Sequence, residues 1–563
     1  MIISLANIFL IYFIPATFFP TTVDSVMAIQ GEWRLQQASI GITAMHLQLL
    51  HNNKIVIYDR TDFGASNISL PGNRCRFDPQ EKVLKTDCSA HSVLYDPVTN
   101  EFRPLTVRTD IWCSSGAVLA DGTLVQTGGY NDGDEVIRII SPGDAGNDFC
   151  DWVEFPGFLS KRRWYATNQI LPDGRVIIIG GRDQFSYEFF LPESILLGKN
   201  SEVPSLFDFP FLKETKYRNH EENNLYPFVH LLPDGNLFIF ANRRSIVLDY
   251  KNNSVVREFQ SINGEPRNYP SSGSSVLLPI DENSPVLETE IMVCGGSTSP
   301  NAFHAAQRGM FLRASSTCGR LNVSDNDAEV RWRMHEMPMP RVMGDMLILP
   351  TGDILIINGA SSGSAGWERA RDPVTRPLIY QTQRIPDEND GNRFSVMEAS
   401  PRPRLYHSTA LLLIDGRVLV GGSNPHIGYN FSGVEFPTDL SLETFHPPYL
   451  ATQYDPLRPR IIQVMNNLSY KKPFSLVFFV TNLLKSSGVI SIRIIAPPFN
   501  THGFSMNQRM VVLKRGDVSF VSYNTYNISV VGPSTPEIAP PGHYMMFLVH
   551  ANIPSSGVWV LIQ

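Results

Sequence analysis

The sequence predicts an all-β protein: a seven-bladed β-propeller over residues 29–445, followed by a C-terminal Ig-like β-sandwich over 446–563. Three observations carry this reading. A motif of apolar run, tight polar turn, second apolar run and, in most copies, a Gly pair recurs seven times. Its turns lie roughly 50 to 70 residues apart, too far for one coil of a solenoid and suited to a four-stranded blade with variable loops. Near Phe445-His446-Pro447-Pro448 the Gly-Gly punctuation stops while strand patterns continue.

In chain order, residues 1–28 come first. The apolar run Ile2 to Phe19 leads to Val26-Met27-Ala28 just before Ile29-Gln30-Gly31, the pattern of a cleaved secretory signal, although no Lys or Arg precedes the run. No other segment is apolar enough to span a bilayer, so the expected product is secreted and extracellular, with no membrane anchor. Six Asn-x-Ser/Thr sequons, at Asn67, Asn252, Asn322, Asn430, Asn467 and Asn527, fit a glycoprotein. The 41 Pro and 40 Gly suit a turn-rich β chain, and a net charge of −7 without a basic stripe argues against nucleic acid as a partner. In an oxidising compartment the six cysteines invite pairing. Cys75 with Cys88 makes a short-loop bridge and Cys294 with Cys318 a second; Cys113 and Cys150 are left, free or paired with each other.

The Kelch-like repeats follow. Full copies are Leu171-Pro172-Asp173-Gly174 with Gly180-Gly181, Ile414-Asp415-Gly416 with Gly421-Gly422, and Ala120-Asp121-Gly122 with Gly128-Gly129. Weaker copies turn at Pro233-Asp234-Gly235 and Pro350-Thr351-Gly352; the other two turn at Asn52-Asn53 and, in a longer hairpin, after Leu278-Pro279. Asp-Gly and Asn-Asn suit tight strand-to-strand turns because these residues tolerate positive φ. The final region reads as strands at Phe474 to Val480, Val489 to Ile495, Met510 to Leu513 and Tyr544 to Val549.

Eight residues before each turn stand Ala44, Cys113, Tyr165, Tyr226, Ser272, Met343 and His407. In a ring of equivalent repeats, equivalent positions face one axis. Taken singly, a Tyr or His in a strand is ordinary core, and Tyr226 and Met343 are ordinary channel filling. Taken together, the thiol of Cys113, the phenol of Tyr165 and the imidazole of His407, with Tyr406 beside it, meet at one place, and the two phenols and the imidazole form a mixed oxygen and nitrogen set that, in a tetragonal geometry, suits Cu(II) better than zinc or calcium. A fourth ligand is sought in the last domain. His543, after Pro540-Pro541-Gly542, is one candidate, with His502, His550 and His446 as contenders.

These residues lie in a set of motifs: Trp112-Cys113-Ser114-Ser115-Gly116, Arg163-Trp164-Tyr165-Ala166-Thr167, Arg341-Val342-Met343-Gly344-Asp345 to Asn358-Gly359, Arg404-Leu405-Tyr406-His407-Ser408 and Pro541-Gly542-His543-Tyr544. By these motifs the chain resembles the copper radical oxidases, specifically the glyoxal oxidase branch of the galactose oxidase family, from about Gly31 to Gln563.

The resemblance implies one copper ion per chain and a protein-derived Cys-Tyr radical cofactor. Cys113 is similar to the cysteine bonded through sulfur to the ring of a tyrosine, here Tyr165, which is both copper ligand and radical site. Tyr406 is similar to the tyrosine that takes the substrate proton, and His407 and His543 to the two imidazole ligands, so the implied metal set is Tyr165, Tyr406, His407 and His543. The implied reaction oxidises aldehydes, as hydrates, to carboxylic acids and reduces O2 to hydrogen peroxide; one Cu(II) accepts a single electron, and the tyrosyl radical supplies the second store. Aldehydes are chosen over alcohols from the flanking motifs and the lack of a carbohydrate-binding domain before the repeats. The alternatives are an alcohol or galactose oxidase with the same centre, and a non-catalytic propeller that binds glycan or protein. A monomer is expected. In one respect the chain departs from galactose oxidase: none of its seven Trp residues can be assigned from sequence to the position that stacks over the thioether.

Overall fold

Six successive stretches of chain each contribute four antiparallel strands to a sheet, and a seventh contributes three. The computed structural model describes residues 30–142, 150–192, 206–217, 221–325, 327, 329–383, 393–484 and 490–563, so the leader read at 1–28 lies outside the described residues. The first strands of the seven sheets are His46–Leu49, Ser115–Val118, Ala166–Ile170, Phe228–Leu231, Gly273–Leu277, Asp345–Ile348 and Ser408–Leu412. Most of their residues are buried on both faces. Each first strand from Ser115–Val118 onward packs against the next, and Ser408–Leu412 packs back on His46–Leu49. The hairpin Phe499–Thr501 and Phe504–Met506, from the C-terminal region, fills the gap between the first two: it pairs with His46–Leu49 and touches Ser115–Val118.

The turns behave as their chemistry requires. Asp121, Asp173, Asp234 and Asp415 each accept the amide hydrogen two residues on, at 2.9–3.1 Å, and the following glycines take φ of 83–90°. A left-handed residue after a tight turn matches the twist of the two strands it joins. In the first copy Asn53, at φ 64°, fills the place of the glycine.

The Gly pairs have a more specific cause than punctuation. The carbonyls of Gly128 and Gly422 accept hydrogen bonds of 2.7 and 2.8 Å from the buried Arg138 and Arg404, and Gly180 does the same from Arg163 at 2.7 Å. Gly295 accepts from Arg267 and, in the sixth sheet, Asn358 from Arg341. All five carbonyls belong to residues at φ 64–76°. At Gly128 a β-carbon would sit 1.9 Å from the carbonyl oxygen of Arg163, so only glycine fits. Three of the five guanidinium groups are in turn matched by carboxylates: Arg163 meets Glu188 at 2.8 Å, Arg404 meets Glu443 at 2.6 Å and Arg138 meets Glu154 at 3.6 Å. A buried charge without such partners is expensive.

The seventh sheet is completed from the other end of the chain. Its outermost strand is Glu32–Gln37, which runs antiparallel to Leu442–His446. After residue 446 the chain forms two further sheets, one around Ile490–Ala496, Arg509–Val512, Gly542–His550 and Val558–Ile562, the other from Arg460–Gln463, Pro473–Phe479, Arg515–Ser522 and Thr525–Val531. Cys75 is bonded to Cys88, and Cys294 to Cys318 on the neighbouring strand. Among the described residues Cys113 and Cys150 carry no disulfide, so they do not pair with each other.

Candidate metal centre

Six of the seven positions that stand eight residues before a turn share an unusual backbone. Cys113, Tyr165, Tyr226, Ser272, Met343 and His407 take φ of 41–65°, a left-handed conformation that costs an L-residue about 1–2 kcal/mol. The cost is offset by bonds from one sheet to the next. Tyr165 N–H donates to the Cys113 carbonyl and Tyr226 N–H to that of Tyr165, each at 3.0 Å, while Met343 N–H donates to Ser272 at 2.7 Å. The repeat thus delivers each side chain at the same point, immediately before its first strand.

A seventh left-handed residue meets them from outside the repeats. Thr501 pairs with Phe504, so His502 and Gly503 form a two-residue hairpin loop with φ of 48° and 79°. Positive φ at both positions is the signature of the type I′ turn. The approach is close: a β-carbon on Gly503 would lie 3.0 Å from the Gly344 carbonyl oxygen. Thr501 Oγ1 is 2.6 Å from His502 Nδ1 and orients the ring.

At the meeting point the ligand atoms of Cys113, His407 and His502 all lie within 4.8 Å of one another. Cys113 Sγ is 3.2 Å from His502 Nε2. The Tyr406 ring stacks on His407 at 4.0 Å between centroids, and the His407 and His502 rings stand at 81° to each other, 5.2 Å apart. Tyr165 adds its ring at 6.2 Å from His502. Cys113, Tyr165, Tyr406 and His407 are 0–3 % exposed. Burial pushes the Cys113 thiol up, against a hydrogen bond from Tyr165 that pulls it down. Burial likewise raises Tyr165 and Tyr406 well above the phenol range, depresses His407 with help from His502, and brings His502 down to about 3.

The telling atoms are the two ring nitrogens of His407. Both are buried and neither has a hydrogen-bond partner among the described residues. A buried polar group of this kind ordinarily costs about 1–3 kcal/mol, and a bound cation is one way to satisfy it. The donors available, two phenols and two imidazoles, are those that suit Cu(II).

His543 is not brought to this group, which corrects the expectation that it supplies the second imidazole. It stacks on His51 at 3.9 Å and 10°, beside the Ala120 backbone. Ala120 lies beyond the far end of the strand that Cys113 precedes, about 20 Å along the chain at the usual rise per residue. The reason is local: Gly542 begins the strand Gly542–His550, so His543 is held in sheet pairing opposite Leu561 and is not at a loop tip. Of the other contenders, His550 uses both ring nitrogens, with Leu457 O at 2.7 Å and Leu484 N at 3.0 Å, and His446 sits in the outer strands of the seventh sheet, bonded to Thr444.

Three further features escape the repeat pattern. The Tyr269 hydroxyl lies 3.2 Å from that of Tyr165 and 2.8 Å from that of Tyr406. Trp164 and Tyr269 both lean on the Tyr165 ring, at 4.8 Å and 36° and at 4.6 Å and 31°, and so occupy the space where a Trp could not be assigned from sequence. Beyond Trp164 come Trp112, 5.0 Å away, then Trp367 stacked on Trp112 at 5.2 Å, with the Arg60 guanidinium 5.1 and 4.7 Å from those two rings. Trp164 belongs to the motif Arg163-Trp164-Tyr165-Ala166-Thr167, but its contact with the Tyr165 ring is set by the fold and not by its spacing.

Comparison with known proteins supplies the family context. Residues 45–449 match the family described as glyoxal oxidase N-terminus, and 458–562 the galactose oxidase-like early set domain. The chain is 43% identical over 542 residues to aldehyde oxidase GLOX1 of Arabidopsis thaliana, covering 94% of this chain and 84% of that one. It is 44% identical over 540 residues to aldehyde oxidase GLOX of Vitis pseudoreticulata, covering 94% and 97%. A solved fungal alcohol oxidase in complex with copper superposes with a TM-score of 0.70, over 95% of this chain and 100% of that one. At 16% identity that likeness bears on the fold alone.

Proposed function

We propose that this chain, which belongs to the glyoxal oxidase family, is a secreted copper radical oxidase that converts aldehydes, taken as their hydrates, to carboxylic acids and reduces O2 to hydrogen peroxide. The seven sheets are read as a seven-bladed propeller over 29–445 and the two later sheets as an Ig-like sandwich over 446–563 that lends it His502. The protein acts as a monomer, and no helix among the described residues is long and apolar enough to cross a membrane.

One observation carries the reading: His407, its two nitrogens buried without partners, faces His502 Nε2 and two phenols in the same pocket. Tyr165, Tyr406, His407 and His502 would hold the copper. Bound there, copper supplies one single-electron acceptor and the Cys113–Tyr165 thioether tyrosine the other, and O2 takes up both electrons.

The chain's own groups set the rest. The Tyr165 amide donates to the Cys113 carbonyl at 3.0 Å, and the two side chains enter the same pocket; joining them removes one hydrogen from the thiol and one from the ring, two electrons and two protons that pass to O2. Without a cation, burial keeps Tyr165 and Tyr406 protonated. A neighbouring positive charge reverses that balance, and Tyr406 as phenolate can accept the substrate's hydroxyl proton. An aldehyde hydrate presents the same hydroxyl and carbon-bound hydrogen as a primary alcohol, so selection falls to the surroundings of the pocket. Trp164 covers the Tyr165 ring, Trp112 and Trp367 extend that aromatic wall outward, and aromatic surface favours small, weakly polar substrates.

The test is to load purified protein with copper, map the peptides and assay peroxide. The expected outcome is one copper per chain, a Cys113–Tyr165 peptide lighter by two hydrogens, and more peroxide from methylglyoxal than from galactose. The reverse substrate order would make it an alcohol oxidase; absence of both copper and cross-link would leave a binding protein.

A further inference from the structure

Resting on that reading, the geometry points to Tyr269 as a positioning residue: we propose that its hydroxyl couples Tyr165 to Tyr406, donating its one proton to whichever of the two oxygens carries charge. Tyr165, Tyr269 and Tyr406 form a chain of three hydroxyls, with Tyr269 in the middle at 3.2 and 2.8 Å. In the metal-free protein three protons are shared along it. Once Tyr165 and Tyr406 have given theirs up, Tyr269 keeps the only proton left between them.

The chain around Tyr269 is fixed at almost every residue. Arg267 holds Ser315 Oγ at 2.8 Å and Thr317 Oγ1 at 2.7 Å. Asn268 donates to the Tyr226 carbonyl at 3.0 Å and accepts from Asn242 N at 2.7 Å. The Pro270 carbonyl accepts from Ser364 Oγ at 2.7 Å and Ala365 N at 2.9 Å, and Ser271 Oγ bonds Asn223 at 2.7 Å. A side chain anchored from both sides loses little entropy on holding a hydrogen bond, and its dipole is in place before charge develops. Its ring also lies over that of Tyr165, 4.6 Å away.

The consequence for the reaction is a switch of one hydrogen bond. While Tyr406 is a phenolate, the Tyr269 O–H donates to it across 2.8 Å and sets how strongly it attracts the substrate's proton. When Tyr406 has taken that proton and Tyr165 has been reduced to phenolate, the O–H turns to Tyr165 across 3.2 Å, accepting from Tyr406 as it does so. No covalent bond changes at Tyr269. It steadies the base before the transfer and the radical's reduced form after it.

The experiment compares wild type with Tyr269→Phe, which keeps the ring, using protein whose copper content and two-hydrogen mass loss are first verified. The expected result is copper content and cross-link unchanged, KM within about threefold, and kcat down about 10- to 100-fold, the range of one hydrogen bond to a charged oxygen. The midpoint potential of the cross-linked tyrosine shifts as well. In a Tyr406→Phe background the same substitution lowers kcat by a smaller factor than in wild type, because one of the two oxygens it serves is gone, while the shift in the Tyr165 potential persists. Should Tyr269→Phe fail to fold, the wild type decides: oxidised, metal-free, cross-linked protein moved into D2O shows an exchangeable deuteron coupled to the tyrosyl radical in electron–nuclear double resonance. Cross-linked Tyr269→Phe with wild-type kcat and potential, or no exchangeable deuteron in the wild type, overturns the proposal. A wild type lacking copper and cross-link overturns instead the reading on which it rests.

Discussion

Exchanging His502 for Asn tests which histidine completes the copper set. Asn tolerates the left-handed φ of 48° at that position, so the hairpin persists while the imidazole is lost. The size of the effect follows from the site. His502 Nε2 stands 3.2 Å from Cys113 Sγ, its ligand atom is within 4.8 Å of that of His407, and Thr501 fixes the ring at 2.6 Å, so His502 is a complete and oriented donor. A closed four-ligand zinc site in a small domain binds with about 10–16 kcal/mol, so one ligand of a comparable set is worth about 2.5–4 kcal/mol. At about 1.4 kcal/mol per tenfold, copper affinity falls by two to three orders of magnitude. A chelator competition titration on the metal-free protein measures this directly. His543→Asn, in the same titration, stays within about threefold of wild type, because His543 lies against His51 at the other end of the strand. Loss of copper in His543→Asn with retention in His502→Asn would refute the assignment.

Gly503→Ala puts a β-carbon 3.0 Å from the Gly344 carbonyl at φ 79° and is expected to lower the melting temperature by the equivalent of about 1 kcal/mol or more while weakening copper binding, both read by thermal melts with and without copper. The His51–His543 stack gives a pH dependence: burial first, then the His51 charge, pushes His543 down to about 4, and burial also lowers His51. The unfolded chain, with ordinary imidazoles, binds more protons between about pH 6.5 and 4, so stability is lost as pH falls through that window. Denaturant melts of His543→Phe should show a shallower loss over the same range than wild type; identical slopes would refute the coupling.

The parts legible in the sequence were those with a local cause. Asp121-Gly122 and its counterparts had to turn, because only such pairs supply an acceptor two residues back from an amide and a left-handed φ after it. Counting from those turns placed Cys113, Tyr165 and His407, since each stands eight residues before its turn and one or two before its first strand, and Tyr406 came with its neighbour. The disulfides followed from short separations, 13 and 24 residues. What failed was docking over distance. Thr501-His502-Gly503-Phe504 reads as a hairpin once examined, yet nothing local says that the hairpin pairs with His46–Leu49. Pro541-Gly542 looked equally like a projecting turn, but the glycine starts a paired strand. Tyr269 was missed because it stands three residues ahead of Ser272, out of step with the register that located the others.

The pairing of Glu32–Gln37 with Leu442–His446 has a temporal consequence. The strand Glu32–Gln37 waits for a partner made more than 400 residues later, which at about 5–20 residues per second is about 20 to 80 seconds on the ribosome. Throughout that interval its free edge can mispair and needs shielding. The tip bearing His502 emerges later still, so the side chains of Cys113, Tyr165, Tyr406 and His407 are made before the imidazole that meets them.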